Sequence, residues 1–281
     1  MRHPRPAVRA ALGLLAAVVL GTAMLLILTP SARSAAARTR DWITAHHAGP
    51  PLTALPARVS AAVLAAEDHR FFQHHGLDVQ AVGRAAGGLL TGRDAGGSTI
   101  EVQLVKLLYT GGRHRFLDQA EQAAVAVKLD RTYTKTQILL MYLNSEYFGH
   151  GFYGVTTAAH GYFNTDPQNL TWGQAALLAG LLKAPSYDDP LRHPDRALVR
   201  RSQVVERLRA VGALTTAEAV VANRTTLQLT TGLSAFHRWP ETAPRPGLSR
   251  NSQPWRSTLR SYRFEVYQHG RRSSLSYPAS S

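Results

Sequence analysis

Apolar residues are arranged in two ways along this chain: one unbroken run near the N-terminus, then recurrence at helical spacing through most of the remainder. The run is ALGLLAAVVLGTAMLLILT (11–29), and residues 10–32 carry no charge. About 20 apolar residues cross a bilayer as a helix, so a single transmembrane helix is predicted over 10–32. Arg2, Arg5 and Arg9 ahead of it favour a cytoplasmic N-terminus, whereas Arg33, Arg38 and Arg40 behind it weaken the bias. SARSAAA (31–37) offers small-residue cleavage sites. Signal-peptide cores usually end by about 15 residues, so an uncleaved anchor is the better reading. The rest of the chain is then expected on the extracytoplasmic side of the membrane.

Beyond a linker over 33–54, marked by Pro50 and Pro51, the period is helical. LPARVSAAVLAAED (55–68) places Val59, Ala62, Val63 and Ala66 on one face. STIEVQLVKLLY (98–109) opens with Ser98 and has Glu101 three residues on, the pattern of a capping box. Further helices are predicted in FLDQAEQAAVAVKLDR (116–131), in TKTQILLMYLNSEYF (134–148) capped by Thr134, and in LTWGQAALLAGLLKAP (170–185) capped by Thr171. DRALVRRSQVVERLRAVG (195–212) ends at Gly212, a helix C-terminal signal. No stretch alternates convincingly as a strand does, so the domain over 55–235 is expected to be mainly α. From 236 to 281 the chain turns rich in Arg, Ser and Pro, with eight arginines and two glutamates after residue 237. That composition predicts a basic tail without fixed structure.

Composition narrows the partners. The 281 residues include no cysteine, which excludes disulfides and thiolate metal sites. Lys and Arg number 32 against 18 acids, a formal charge of +14 that suits an anionic membrane or a phosphate-bearing substrate. With no recognition-helix pattern, aromatic RNA-binding motif or zinc finger, nucleic acid is not expected as a partner.

Two stretches carry candidate chemistry. AAEDHRFFQHHG (65–76) sets Glu67 and Asp68 against apolar neighbours, and a carboxylate shielded by Phe71 and Phe72 is a natural general base. GRDAGGSTIEVQLVK (92–106) feeds a glycine-rich turn into a helix N-terminus, where backbone amides, Ser98, Thr99 and Lys106 could hold a phosphate. His69, His74 and His75 lack metal-helix spacing, which favours structural roles.

Taken in order, the motifs are specific. Glu67-Asp68-x-x-Phe71-x-x-His74-x-Gly76 comes first, then Gly96-Gly97-Ser98-Thr99 with Gln103 and Lys106. Lys135-x-x-Ile138-Leu139-x-x-Tyr142-Leu143-Asn144 and Gly149-x-Gly151-x-Tyr153-Gly154 follow. The series resembles the bacterial peptidoglycan glycosyltransferases of family 51, found alone or as the transglycosylase part of bifunctional penicillin-binding proteins.

The resemblance implies a lysozyme-like, mainly α glycosyltransferase domain behind the transmembrane helix, with a groove at the membrane surface. It implies lipid II and the nascent glycan strand as substrates and undecaprenyl pyrophosphate as leaving group. Glu67 would be the base for the acceptor 4-hydroxyl, supported by Asp68, with Phe71 and His74 shaping the pocket. Ser98, Thr99, Gln103 and Lys106 would meet the pyrophosphate, and a divalent cation (Mg²⁺ or Mn²⁺) would assist there. Asn144 belongs to a scaffold motif. Residues after Ala222 hold no Ser-x-x-Lys, so a separate transpeptidase is expected to cross-link.

Two motifs depart from the family. Its third, Arg-Lys-x-x-Glu, falls on Asp118, Gln119 and Gln122, so Gln122 stands at the second carboxylate; Glu121 points about 100° away on a helix. In the second, Glu101 and Val102 replace Thr-Gln and Leu107 replaces asparagine. Glu101 is expected to put negative charge where the pyrophosphate would bind. Three readings stay open: a working but slow synthase, a degenerate homologue that binds lipid II or glycan and partners an active synthase, and a lysozyme-like hydrolase, the weakest.

Overall fold

A computed structural model of the chain describes residues 6–81, 83, 98–113, 115–230, 264–268 and 271–275. The glycine turn at 92–97 therefore lies outside the described residues. Two compact units divide the chain, residues 1–246 and 247–281.

The first unit is helical. Its α1 (Pro6–Leu28) is the apolar run, and it is the one described helix long and apolar enough to cross a membrane. Next come α2 (Ala35–Ala45), α3 (Ala57–Glu67), α4 (Ile100–Leu108), α5 (Phe116–Thr132) and α6 (Lys135–Ser145). Then follow α7 (Val155–Phe163), α8 (Trp172–Leu181), α9 (Pro194–Ala210) and α10 (Thr216–Arg224).

The expected linker is largely structure. Ala32 and Ala35 are buried in the core, and α2 packs on α6 with the Trp42 indole donating to Ser145 O at 3.0 Å. Lys128 Nζ donates to Thr29 O at 2.6 Å and Tyr133 Oη to Arg33 O at 2.8 Å, tying the end of α1 to the body. Pro50 and Pro51 read as a break, yet Asn144 grips both backbone groups of Leu52, accepting from its N–H at 2.7 Å and donating to its carbonyl at 3.2 Å. Asn144 is scaffold, as its motif implied.

Helix α8 is apolar on every side and wholly buried from Gly173 to Leu181, as expected of a helix with no polar face. It packs against α3 and α9, so the helix carrying Glu67 rests on the deepest part of the core. Helices α4, α5 and α6 pack together beside it, and Thr134 and Thr171 cap α6 and α8 as the sequence predicts. Gly76 closes the first motif with φ 84°; a Cβ there would meet Ala126 O at 2.6 Å, so only glycine lets the loop lie on α5.

In the second unit, β1 (Phe264–Gln268) and β2 (Arg271–Leu275) pair antiparallel, Phe264 opposite Leu275 and Gln268 opposite Arg271. This hairpin lies where composition led us to expect no fixed structure; Phe264 and Val266 alternate with polar residues, a signal too short to outweigh the basic, Pro-rich surroundings.

Candidate active site

Three helix ends build the site. Helix α3 stops at Glu67, and Asp68 leaves it with φ −157° while still donating its N–H to Leu64 O at 3.0 Å. Half-buried Glu67 is fixed from α4: Gln103 Nε2 donates to Glu67 Oε2 at 3.1 Å. Tyr142 on α6 donates its hydroxyl to Gln103 Oε1 at 2.7 Å. Burial, then the carboxylates of Glu146, Glu67 and Asp68, raise the Tyr142 pKa well above the usual phenol value, so it remains a donor.

Asp68 works inward. Its Oδ2 lies 2.9 Å from His74 Nε2 and accepts the N–H of Ile100, first residue of α4, at 3.1 Å. It thus pins the end of α3 to the start of α4, holding Glu67 and Gln103 in register. Phe71 turns into the core at 1 % exposure, edge-on to Phe72, and Phe72 is 62 % exposed. Thr99 is buried as the α4 cap, accepting from Val102 N at 3.3 Å and donating to Gly76 O at 2.8 Å. Ser98 is exposed just ahead, and Lys106 lies half-buried farther along α4.

The cap shift from Ser98 to Thr99 overturns the expectation for Glu101. One residue nearer the helix start, Glu101 faces inward at 0 % exposure and ion-pairs with Lys135 Nζ at 2.5 Å. Desolvation raises its pKa, against the opposing pull of Lys135. Its charge is paired in the interior and does not confront a bound phosphate. Lys135 also reaches Asp130 at 2.8 Å and lies 4.6 Å over the Phe71 ring.

Gln122 is spent on structure. Buried at 4 % exposure, its Nε2 donates to Thr110 Oγ1 at 2.8 Å and to Arg113 O at 2.9 Å, locking the turn between α4 and α5. Gln122→Glu would put a carboxylate oxygen against the Arg113 carbonyl and remove both donors. The variant is expected to lose about 1–3 kcal/mol of stability, with a lowered melting temperature and no gain in activity. Asp118, at the motif's arginine position, accepts from Arg115 N at 3.1 Å and pairs with Arg113 at 3.3 Å. Desolvation opposes its ionisation, but these arginines hold its pKa below the usual value.

Asp68, His74 and Glu101 each place one ligand atom within 4.8 Å of the others, a set that could hold a metal. Glu101 Oε2 and His74 Nδ1 are buried without a hydrogen-bond partner. However, the Lys135 ammonium already supplies the positive charge, and burial leaves no access for the waters that Mg²⁺ retains. The set does not fit a hydrated cation shared with a pyrophosphate.

Sequence reasoning missed Glu146. It ends α6, donating its N–H to Tyr142 O at 3.0 Å and accepting from Gly154 N at 2.8 Å. Its carboxyl is pushed up to about 8 by desolvation and then by the charge of Glu67, partly offset by the Tyr147 backbone and Lys106. The available signal was an acid wedged between a helical apolar run and Tyr147-Phe148.

Residues 33–209 match the family model described as Transglycosylase. Penicillin-binding protein 1F of Bacillus subtilis (strain 168) is 41% identical over 177 residues, 62% of this chain and 25% of that protein. Penicillin-binding protein 1A of Aquifex aeolicus (strain VF5) is 41% identical over 163 residues, 57% of this chain and 22% of that protein. A crystal structure of penicillin-binding protein 1A from Haemophilus influenzae aligns over 35% of this chain and 15% of that one at 33% identity, with a TM-score of 0.34, too low to bear on the fold. The chain spans a quarter or less of the length of these relatives.

Proposed function

Because the chain belongs to the transglycosylase family, we propose that its cleft polymerises lipid II into peptidoglycan glycan strands with release of undecaprenyl pyrophosphate. The observation that carries this reading is the fixing of Glu67: Gln103, itself held by Tyr142, donates to Oε2, which leaves Oε1 to take a proton. Glu67 removes the proton of the acceptor 4-hydroxyl as that oxygen attacks the donor's anomeric carbon. The bond from that carbon to the pyrophosphate oxygen breaks, and the electron pair leaves with the pyrophosphate. Ser98 and Lys106, on the α4 side, meet the leaving anion. Anchoring by α1 keeps the cleft where a lipid-borne substrate is presented, and a transpeptidase is the partner that would cross-link the strands.

One observation favours a second reading, in which the chain binds lipid II without turning it over. Gln122 offers the cleft no carboxylate. Incubating the detergent-solubilised full chain with labelled lipid II separates the two. Strands that a muramidase digests are expected; retained, unpolymerised lipid II would favour the second reading.

A further inference from the structure

The chain that leaves the apolar helix α1 is gripped residue by residue. Five successive carbonyls, from Thr29 to Arg33, accept hydrogen bonds from three side chains of the helical body. We propose that this grip makes α1 a rigid strut, and that Tyr109, Lys128 and Tyr133 are positioning residues that fix how the cleft stands on the bilayer. The positioning rests on the reading of the substrate as lipid-borne, whereas the strut does not.

Lys128 on α5 takes the end of α1. Its ammonium has three protons and three acceptors: Thr29 O at 2.6 Å, Thr29 Oγ1 at 2.8 Å and Pro30 O at 3.2 Å. A cation at a helix C-terminus also suits the helix dipole. The Tyr109 hydroxyl, at the end of α4, lies 3.3 Å from both Ser31 O and Ala32 O. Arg38 on α2 lies 4.4 Å over the Tyr109 ring and donates to Leu108 O at 3.1 Å, so α2 holds the same helix end. Tyr133, just after α5, donates to Arg33 O at 2.8 Å and accepts from Ala36 N at 3.4 Å.

A connecting segment whose backbone polar groups face water opens at little cost. Here those groups are held by the body, and Ala32 and Ala35 are buried in its core. The grip also falls on the helix that meets the leaving anion in the proposed reaction. Lys106 lies within one turn of Tyr109, and Gln103 about 9 Å from it along α4. A lipid-borne pyrophosphate sits at the level of the headgroups, so the height of α4 above the bilayer decides whether it is met. Misplacement by about 1 Å can cost a reaction as much as 10²-fold.

The chain has no cysteine, so two can be introduced for spin labels without background. Leu20→Cys on α1 and Val221→Cys on α10 replace residues that are 69% and 63% exposed. In the full chain, in phosphatidylcholine–phosphatidylglycerol vesicles, the distance distribution between the labels should be one narrow peak. Lys128→Met, Tyr109→Phe and Tyr133→Phe together remove the donors and keep the side-chain bulk. They should widen that peak by about twofold or more, with the helical circular dichroism unchanged. Lys128→Arg alone still donates and should leave the peak narrow. A distribution as broad in the otherwise wild-type chain as in the triple variant would overturn the strut. Lipid II polymerisation tests the positioning. The triple variant should work about tenfold more slowly than wild type in vesicles, yet at the wild-type rate in detergent micelles, where no bilayer plane fixes the height of the substrate. Equal losses in both media, or no loss in vesicles, would overturn the positioning. If wild type forms no strands, the reading of the cleft as a synthase fails, and the label distances still decide whether α1 is a strut.

Discussion

Glu67→Gln is expected to lower the initial rate of lipid II polymerisation by about 10²–10⁴-fold, the range a positioned general base supplies. The substitution is nearly isosteric, and a side-chain oxygen remains to accept from Gln103 Nε2, so the Gln103–Tyr142 link and the fold should persist. Lipid II binding should stay within a few fold of wild type, because the base acts on the acceptor hydroxyl in the transition state. A loss in binding equal to the loss in rate would instead make Glu67 a binding residue. Gln103→Ala, which frees Glu67 to move while leaving its charge, should give a smaller loss in rate.

The second large effect concerns stability. Lys135→Met strands Glu101, fully buried, without its ion-pair partner. Removing one member of a buried pair typically costs about 3–5 kcal/mol; Lys135 retains 18% side-chain exposure, which argues for the lower end. Replacing both, as Lys135→Met with Glu101→Met, should recover part of the loss, because the stranded Glu101 charge is gone and the Phe71 ring gains an apolar neighbour, while Asp130 still loses its Lys135 partner and keeps His75. Thermal unfolding of the four proteins closes the cycle. Equal melting temperatures for wild type and Lys135→Met would show the pair to be weak.

What was legible in the sequence follows from the range of each signal. Helical periodicity and caps are local, so α3, α6, α8 and α9 are evident, and Thr134 and Thr171 cap as their spacing predicts. At α4 two hydroxyl residues stand side by side, and periodicity could not choose between Ser98 and Thr99. The contact with Gly76 O decides for Thr99, and that single step turns Glu101 from the expected phosphate face into the core. Ordered motifs put Glu67, Asp68 and Gln103 forward together, and hydrogen bonds between the end of α3 and α4 join them in the structure. They could not show that Asp68 and Phe71 face inward or that Gln122 locks a turn, because each depends on packing between helices distant in sequence.

The central claim is that Glu67, held by Gln103 and Tyr142, takes the proton of the attacking hydroxyl. Its most direct test is polymer formation and lipid II binding measured side by side on wild type and Glu67→Gln, as full chains in detergent. The account predicts comparable binding by both and strands from wild type alone. Strands formed at equal rates by the two proteins would contradict it.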